Sequence, residues 1–341
     1  MIRVLIVDDS ATARHILREI LESDRRIEVV GLAADAFIAR DMILELKPNV
    51  ICLDVEMPRM DGVTFLQKLM TYFPTPVVMV SSLTRKSAQV TLDALEAGAI
   101  DYVAKPHSNI YDGKDEIRDE LIQKVVDASY ARVQKITPKS KISTNRLSIA
   151  ETTNKVIAIG SSTGGTEALK VVLRGMPKNS PAIIIVQHMP DSFVGPFAAR
   201  LNSLCDIDVK VAQNGDFLAM GTAYIAQGGR HMVLRRSGAK YFVEIGEGRT
   251  VSGHCPSVDV LFNSVSKVAG ANAIGVILTG MGADGAKGMF NMHQAGAKNI
   301  AQSEETCVVF GMPKEAIKLG GVNAVVPLED ISKAVVNLLS H

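Results

Sequence analysis

Short runs rich in Val, Ile and Leu alternate with helical stretches along almost the whole chain, and polar residues stand just past the carboxyl ends of the runs. No other feature constrains the fold as much. Such a run reads as a buried strand, and strands alternating with helices imply a parallel sheet covered by helices. In the first half, strands are expected over 3–7, 29–33, 50–53, 77–80 and 102–104. Helices are expected over 11–21, 38–46, 63–70, 88–97 and from 115 to about 134. Five βα units in about 130 residues define one α/β domain. It is a flavodoxin-like (βα)5 sheet of order 2-1-3-4-5, with its sites at strand ends near the switch point.

The residues at those ends suit one another chemically. Asp8 and Asp9 end the first strand, Asp54 the third, Ser81 and Ser82 the fourth, and Lys105-Pro106 the fifth. With strands one and three adjacent, Asp8, Asp9 and Asp54 converge. Three carboxylates repel one another and favour a hard divalent cation, Mg2+ in this reading. A phosphoryl group carried by one of them would be neutralised by the metal, paired by Lys105 and hydrogen-bonded by Ser81. Helix capping by Asp8 and Asp9, or a structural ion pair at Lys105, would account for any one of these residues but not for all five together.

This stretch resembles the receiver domain of response regulators. The resemblance rests on Asp8-Asp9, on Asp54 ahead of Val55-Glu56-Met57-Pro58-Arg59-Met60-Asp61-Gly62, and on Ser81 and Lys105-Pro106. It implies that Asp54 accepts phosphate from a histidine kinase. It further implies that Asp9, Asp54 and the backbone carbonyl of Glu56 ligate Mg2+, with Asp8 helping through water. Ser81 and Tyr102 would form the switch that reports phosphorylation to the face of the fourth and fifth helices.

The receiver is expected over 1–134. Residues 135–153 are polar and basic without a clear period and read as a linker, and a second α/β domain is expected over 154–341. That domain opens with an apolar run into Gly160-Ser161-Ser162-Thr163-Gly164-Gly165 and a helix from Thr166. Further strands are expected over 183–187 and 273–278, with helices over 193–204, 257–268 and 286–293. Residues 223–226 and 232–234, separated by Gly228-Gly229, read as a hairpin to which 241–245 adds a strand. The result is a doubly wound, mostly parallel sheet with an antiparallel hairpin.

Gly160-Ser161-Ser162-Thr163-Gly164 fits the G-x-S-x-G pattern, with Ser162 at the elbow and Ser161 as the small neighbour that lets the turn close. The same turn suits an ordinary capped helix or a phosphate cradle, although it lacks both the G-x-G-x-x-G spacing and the Lys of a P-loop. Ser162, His188 and Asp284 each lie just past an apolar strand. A serine needs an imidazole to take its proton, and the imidazole needs a carboxylate to fix its tautomer. His188 as a helix cap, Asp284 as a turn residue, and His231 or His254 as rival bases stay open on the residues alone, while Asp259 reads as a first-turn acid. The chain order Ser…His…Asp matches none of the three familiar triad orders.

From about Lys155 onward the sequence resembles the catalytic domain of chemotaxis protein-glutamate methylesterases, the CheB family. The matching motifs are the 159–168 turn, Gln187-His188-Met189-Pro190, Gly229-Arg230-His231-Met232, the 256–262 segment beginning Pro256-Ser257-Val258-Asp259, and Thr279-Gly280-Met281-Gly282-Ala283-Asp284-Gly285. The resemblance implies Ser162 as nucleophile, His188 as base and Asp284 as its orienter. Backbone amides near Thr163 and Met281 would form the oxyanion hole, and ester hydrolysis would need no cofactor. The implied substrates are methylated glutamates, and glutamines, on cytoplasmic helices of methyl-accepting chemoreceptors. The implied receiver covers the active site until Asp54 is phosphorylated. Cys255 stands where the family usually has arginine, and Gln227 where it usually has proline. A response regulator whose output domain only binds a partner would lack any serine-dependent activity.

Composition excludes other classes. With 47% apolar and 21% charged residues the chain is ordinary globular protein, and a net charge of +1 with no basic stripe argues against a nucleic-acid partner. No apolar run reaches the roughly 18 residues needed to span a bilayer, and the N-terminus lacks the sections of a signal peptide. A cytoplasmic monomer is expected. The four cysteines are scattered, and Cys52 and Cys307 sit in apolar, strand-like runs as core residues of a reducing compartment.

Overall fold

The computed structural model describes residues 1–81, 85–105, 114–131, 133 and 155–339, and the chain divides into two compact units, Met1–Lys141 and Ile142–His341. The expected linker over 135–153 lies outside the described residues, as do Ser82 and Pro106.

The first unit runs β1 (Ile2–Val7), α1 (Ala11–Glu22), β2 (Ile27–Ala33), α2 (Ala36–Leu46), β3 (Val50–Asp54), α3 (Gly62–Tyr72), β4 (Val77–Ser81), α4 (Arg85–Glu96), β5 (Asp101–Ala104) and α5 (Lys114–Ser129). All its strands pair in parallel, in the expected order β2-β1-β3-β4-β5. The apolar runs are inside: Val4 to Val7 and Val50 to Leu53 have no exposed surface. Polar residues mark where each strand gives way to a helix. Ser10, Asp35 and Asp61 cap α1, α2 and α3 by accepting from backbone amides of the first turn. Because β1 lies between β2 and β3, its carboxyl end opens on the crevice where the strand order reverses. Helix α5 stops at Ser129, short of the expected 134. The amides of Tyr130 and Ala131 bond three residues back, to the carbonyls of Asp127 and Ala128 (3.1 and 3.0 Å), and this tighter winding ends the helix.

The second unit runs β6 (Val156–Ser161), α6 (Gly165–Arg174), β7 (Ile183–Gln187), α7 (Asp191–Leu204), β8 (Asp208–Val211), β9 (Thr222–Ile225), β10 (His231–Ser237), β11 (Lys240–Gly246), α8 (Val258–Val268), β12 (Ala273–Ile277), α9 (Ala286–Gln294), β13 (Lys298–Gln302), α10 (Met312–Lys318), β14 (Ala324–Val326) and α11 (Ile331–Leu339). Seven strands form a parallel sheet of order β14-β13-β12-β6-β7-β9-β8. The chain winds from β6 outward through β7 on one side and returns through β12 on the other. The end of β6 is therefore the switch point.

The hairpin is real but uses other strands than the sequence suggests. Residues 222–225 form β9, which lies parallel between β7 and β8, and the hairpin pairs β10 with β11, His231 facing Gly246 and Ser237 facing Lys240. The physical reason lies in the glycines. Gly228 lies so close to the start of α7 that a Cβ would stand 2.3 Å from the Asp191 nitrogen, and the pair Gly228-Gly229 carries the chain past that helix. The reversal falls at Gly238, whose φ of 59° suits the first position of a two-residue hairpin turn. Met232, Leu234 and Val243 of the hairpin share a core with Val258, Leu261, Phe262 and Val265 of α8. Cys52 lies in β3 as expected, whereas Cys307 is buried in the connection after β13 and not in a strand. Among the described residues, no helix is long and apolar enough to cross a membrane.

Candidate active site and phosphorylation site

In the first unit, Asp8 follows β1 with no exposed surface and Asp54 ends β3 at 3% exposure, while Asp9 is exposed. The three carboxylates each offer an oxygen within 4.8 Å of the others. Lys105, just past β5, places Nζ 2.9 Å from Asp8 Oδ2 and 2.7 Å from Asp54 Oδ2. Burial pushes the Asp54 carboxyl up to about 6; hydrogen bonding and charge from Lys105 pull it down, and the Asp8 charge adds to the rise. Burial works against the Lys105 charge too, but its bonds to Asp54 and Asp8 hold its pKa above the ordinary value. A cluster of hard oxygen donors in which burial and crowding disfavour the charged state fits a small divalent cation. The amide of Glu56 also bonds the Asp54 carboxylate.

Ser81 is fully buried, and its hydroxyl lies 2.9 Å from that of Thr91 in α4. The Thr91 hydroxyl, the donor to Ser81, also reaches the Ser87 carbonyl at 2.8 Å. Tyr102 is buried in β5. Lys124 of α5 donates to its carbonyl (2.5 Å) and sits 4.7 Å from its ring centroid. Neither Thr91 nor Lys124 is signalled by sequence.

In the second unit, Ser162 follows β6 and is half-buried. Its turn is closed by Gln187, the last residue of β7. Gln187 Oε1 accepts from the Ser161 hydroxyl (2.7 Å), and its Nε2 donates to the carbonyls of Ser162 (3.0 Å) and His188 (3.1 Å). Ser161 is thus more than a small neighbour. A Cβ on Gly165 would stand 2.1 Å from Gln187 Oε1 and 2.8 Å from the Ser161 Cβ, so any larger residue would push into the bonds that close the turn. Gly164 caps α6 at a φ of 77°, which glycine adopts without strain.

His188 follows β7, and Asp284 lies in the loop between β12 and α9. His188 Nε2 is 2.8 Å from Asp284 Oδ2. Asp284 also accepts from the Ser257 hydroxyl (2.7 Å), the Val258 amide (2.7 Å) and the Asp259 amide (3.0 Å). Burial would raise its pKa, but the bond and charge of His188, together with the Asp259 amide and Ser257, hold it below the ordinary carboxylate range. An ionised carboxylate there makes Nε2 the protonated nitrogen, so His188 Nδ1 carries the lone pair. Nδ1 is buried and has no hydrogen-bond partner among the described residues. This reverses the commoner triad, in which Nδ1 faces the carboxylate.

The structure brings His188 and Asp284 into contact. It places Ser162 at the neighbouring strand end without a hydrogen bond from its hydroxyl to the imidazole, a gap that serine–histidine pairs often close only around substrate. The His188 amide donates to the Ser161 carbonyl and the Ser162 amide to the Thr279 carbonyl, both at 3.1 Å, so the three strand ends are stitched together. A Cβ on Gly280 would lie 2.7 Å from the Ser162 Cβ, which shows how closely the Met281 loop approaches the serine. The Met281 amide has no acceptor among the described residues. The Thr163 carbonyl accepts from the Thr279 hydroxyl at 3.0 Å.

Comparison with known proteins finds a matching family for each unit. The model of the CheB methylesterase family matches residues 157–335, and that of the response regulator receiver domain matches residues 4–112. A protein-glutamate methylesterase/protein-glutamine glutaminase of Sulfurimonas denitrificans is 57% identical over all of this chain and 99% of its own length. The chain belongs to the CheB methylesterase family. A protein of the same name from Salmonella typhimurium is 53% identical over 99% of this chain and 97% of its own. The solved CheB methylesterase catalytic domain of Thermotoga maritima covers 55% of this chain and 99% of its own, with 39% identity and a TM-score of 0.53.

Against the family motifs, the rival residues take supporting places. His254 stacks on His188, ring centroids 3.7 Å apart and planes within 14°. His231 bonds the backbone of Ser257 and Arg249. Asp259 is the expected first-turn acid of α8, but it is buried and accepts from the Gly288 amide of α9 at 2.7 Å. Burial and the nearby Asp284 charge raise its pKa against that bond. Gln187 and Ser257 appear in the motifs, yet the sequence gives no sign of what they hold.

Proposed function

We propose that this chain is a phosphorylation-regulated serine hydrolase. It removes methyl esters from glutamate side chains on chemoreceptor cytoplasmic helices, releasing methanol, and deamidates glutamines there, releasing ammonia. The observation that carries this reading is the His188–Asp284 pair, built beside the Ser162 elbow at the switch point of the sheet. The family it belongs to, and the names of its relatives, agree with it.

Ser162 Oγ attacks the γ-carbonyl carbon while His188 Nδ1 takes its proton, and Asp284 steadies the imidazolium through Nε2. The amides of Thr163 and Met281 receive the oxyanion, a contribution of about 3 kcal/mol per donor in comparable sites. Collapse of the tetrahedral intermediate breaks the bond to the leaving oxygen or nitrogen, which departs with the His188 proton. Water, deprotonated by the same nitrogen, then attacks the acyl-enzyme, and glutamate leaves as Ser162 regains its proton. No cofactor enters these steps.

In the receiver, Asp54 takes the phosphoryl group from a histidine kinase. Asp8, Asp9 and Asp54, with the Glu56 carbonyl, would hold Mg2+, which supplies charge neutralisation for the transfer when bound. Ser81, Tyr102 and Lys105 report the modified carboxylate, and the phosphorylated form shifts a two-state equilibrium toward the active enzyme. The reading places the protein in the cytoplasm beside its receptors.

Methanol release from methylated receptor membranes tests this reading. A small phosphodonor is expected to raise the rate, and Asp54→Asn to remove the increase while leaving basal turnover. Stimulation that persists in the variant would refute the assignment of Asp54.

The metal has its own test. The Asp54 carboxyl followed by 13C NMR should titrate near 6 in metal-free protein, and lower once Mg2+ is added, since only the ionised form binds the cation. An ordinary midpoint, unmoved by Mg2+, would contradict the site. The folded carboxyl keeps its proton to higher pH than the unfolded one, so the metal-free receiver loses stability as pH rises from about 4 to about 6.

A further inference from the structure

We propose that His231 is a positioning residue for the hydrolytic site, clamping the loop over 249–257 that supports both His188 and Asp284. The proposal rests on the functional reading above and deepens it.

The hydrogen bonds of His231 fix its state. The backbone amide of Ser257 can only donate, and it points at His231 Nδ1 (3.2 Å), so Nδ1 is the acceptor. The proton of the neutral ring is then on Nε2, which donates to the Arg249 carbonyl at 2.9 Å. One buried side chain at the start of β10 thus grips both ends of the loop. The fit is tight, for a Cβ on Gly248 would lie 2.6 Å from the His231 ring.

What the loop carries gives the clamp its consequence. Ser257 sends its hydroxyl to Asp284 Oδ1, the carboxylate that orients His188. Between the gripped ends, Val251 and His254 bond each other's backbone in both directions (3.0 Å each), closing a tight turn. Ser252 and Gly253 take φ of 53° and 84° there, the left-handed geometry of a type I′ turn. The turn lays His254 on the face of His188. The Ser252 hydroxyl ties it to Asp259 (3.2 Å). The loop therefore touches the base through His254 and the carboxylate through Ser257, while among the described residues His231 makes no hydrogen bond or ring stack with either. Its effect must reach the reaction through the placement of the pair.

Two variants of similar bulk separate this role from simple packing. His231→Asn places Oδ1 near the position of Nδ1 and can still accept from the Ser257 amide, whereas His231→Leu fills space without an acceptor. With the full chain and methylated receptor membranes, His231→Leu is expected to lower kcat on the order of 10- to 100-fold with KM little changed, since small displacements of a catalytic pair cost that much. His231→Asn should recover a clear part of the loss. Equal kcat for the two variants, or a loss confined to KM, would overturn the proposal. In 15N-histidine-labelled wild-type protein, His231 is expected as the neutral Nε2–H tautomer, and an Nδ1–H tautomer would overturn the clamp whether or not the variants fold. Methanol release that does not depend on Ser162 would sink the functional reading instead, leaving the tautomer to decide the clamp.

Discussion

Ser162→Ala is expected to reduce methanol release on the order of 10^4-fold or more while leaving the thermal midpoint close to that of the parent. Residues that act as a unit in acyl transfer each cost nearly the whole of the covalent route when removed, and what remains comes from the amides and from substrate binding. The fold should not suffer. Among the described residues the hydroxyl of Ser162 makes no hydrogen bond that holds the turn, whose closure depends on Ser161, Gln187 and Gly165. Ser161→Ala supplies the contrast. It removes the bond to Gln187 and should lower stability by about 1 kcal/mol, with a far smaller effect on rate. If Ser162→Ala retains activity within tenfold of the parent, the nucleophile lies elsewhere.

Asp284→Asn should cost nearly as much in rate, on the order of 10^4-fold in kcat, for a different reason. The carboxylate accepts four hydrogen bonds, and an amide in its place presents two N–H groups to a set of donors. Whichever way the amide turns, its nitrogen faces at least one backbone N–H that can only donate, Val258 on one side or Asp259 on the other. If its nitrogen faces His188, the imidazole is driven to carry its proton on Nδ1, the nitrogen that should take the serine proton. If it faces Ser257 and the Asp259 amide, that amide in the first turn of α8 loses its acceptor. A fall in thermal stability equivalent to about 1–3 kcal/mol is therefore expected alongside the loss of rate. Thermal melts and methanol release measured on one preparation check both. Normal turnover with reduced stability would make Asp284 a helix cap and nothing more.

Much of this is legible in the amino-acid sequence. Asp8, Asp54, Ser162 and His188 could be placed because each closes a run of Val, Ile and Leu, and the parallel sheet follows from the alternation of such runs with helices. The receiver is legible almost element for element, since each of its strands carries a run of buried apolar residues broken only near its ends or on its edge. The second unit was harder. Strand β13 carries Asn299 and Gln302, both fully buried and held by bonds to the backbone of Met289, Gly321 and Thr306, so its run does not look like a strand. Edge strand β8 has alternate residues exposed, and β14 is three residues long. The misplaced hairpin came from Gly228-Gly229, which resembles a reversal but serves a close approach to α7. The supporting residues of the site were hidden for another reason. Ser257 stands 27 positions from Asp284, and Thr91 ten from Ser81, separations at which no periodicity or motif spacing connects two side chains.

One feature of the second unit ties catalysis to folding. Asp284, in the loop that starts α9, accepts the first amides of α8, while Asp259, in the first turn of α8, accepts the Gly288 amide of α9. Each helix closes the other's open end. Fraying is the ordinary behaviour of helix termini, and here it is a chemical event. A molecule whose α8 has opened by a single turn has also released the carboxylate from the position in which it orients His188. The fraction of the population ready to react at any instant is then set by the opening equilibrium of that one turn, and strengthening it would raise the number of competent molecules without altering the chemistry of any of them.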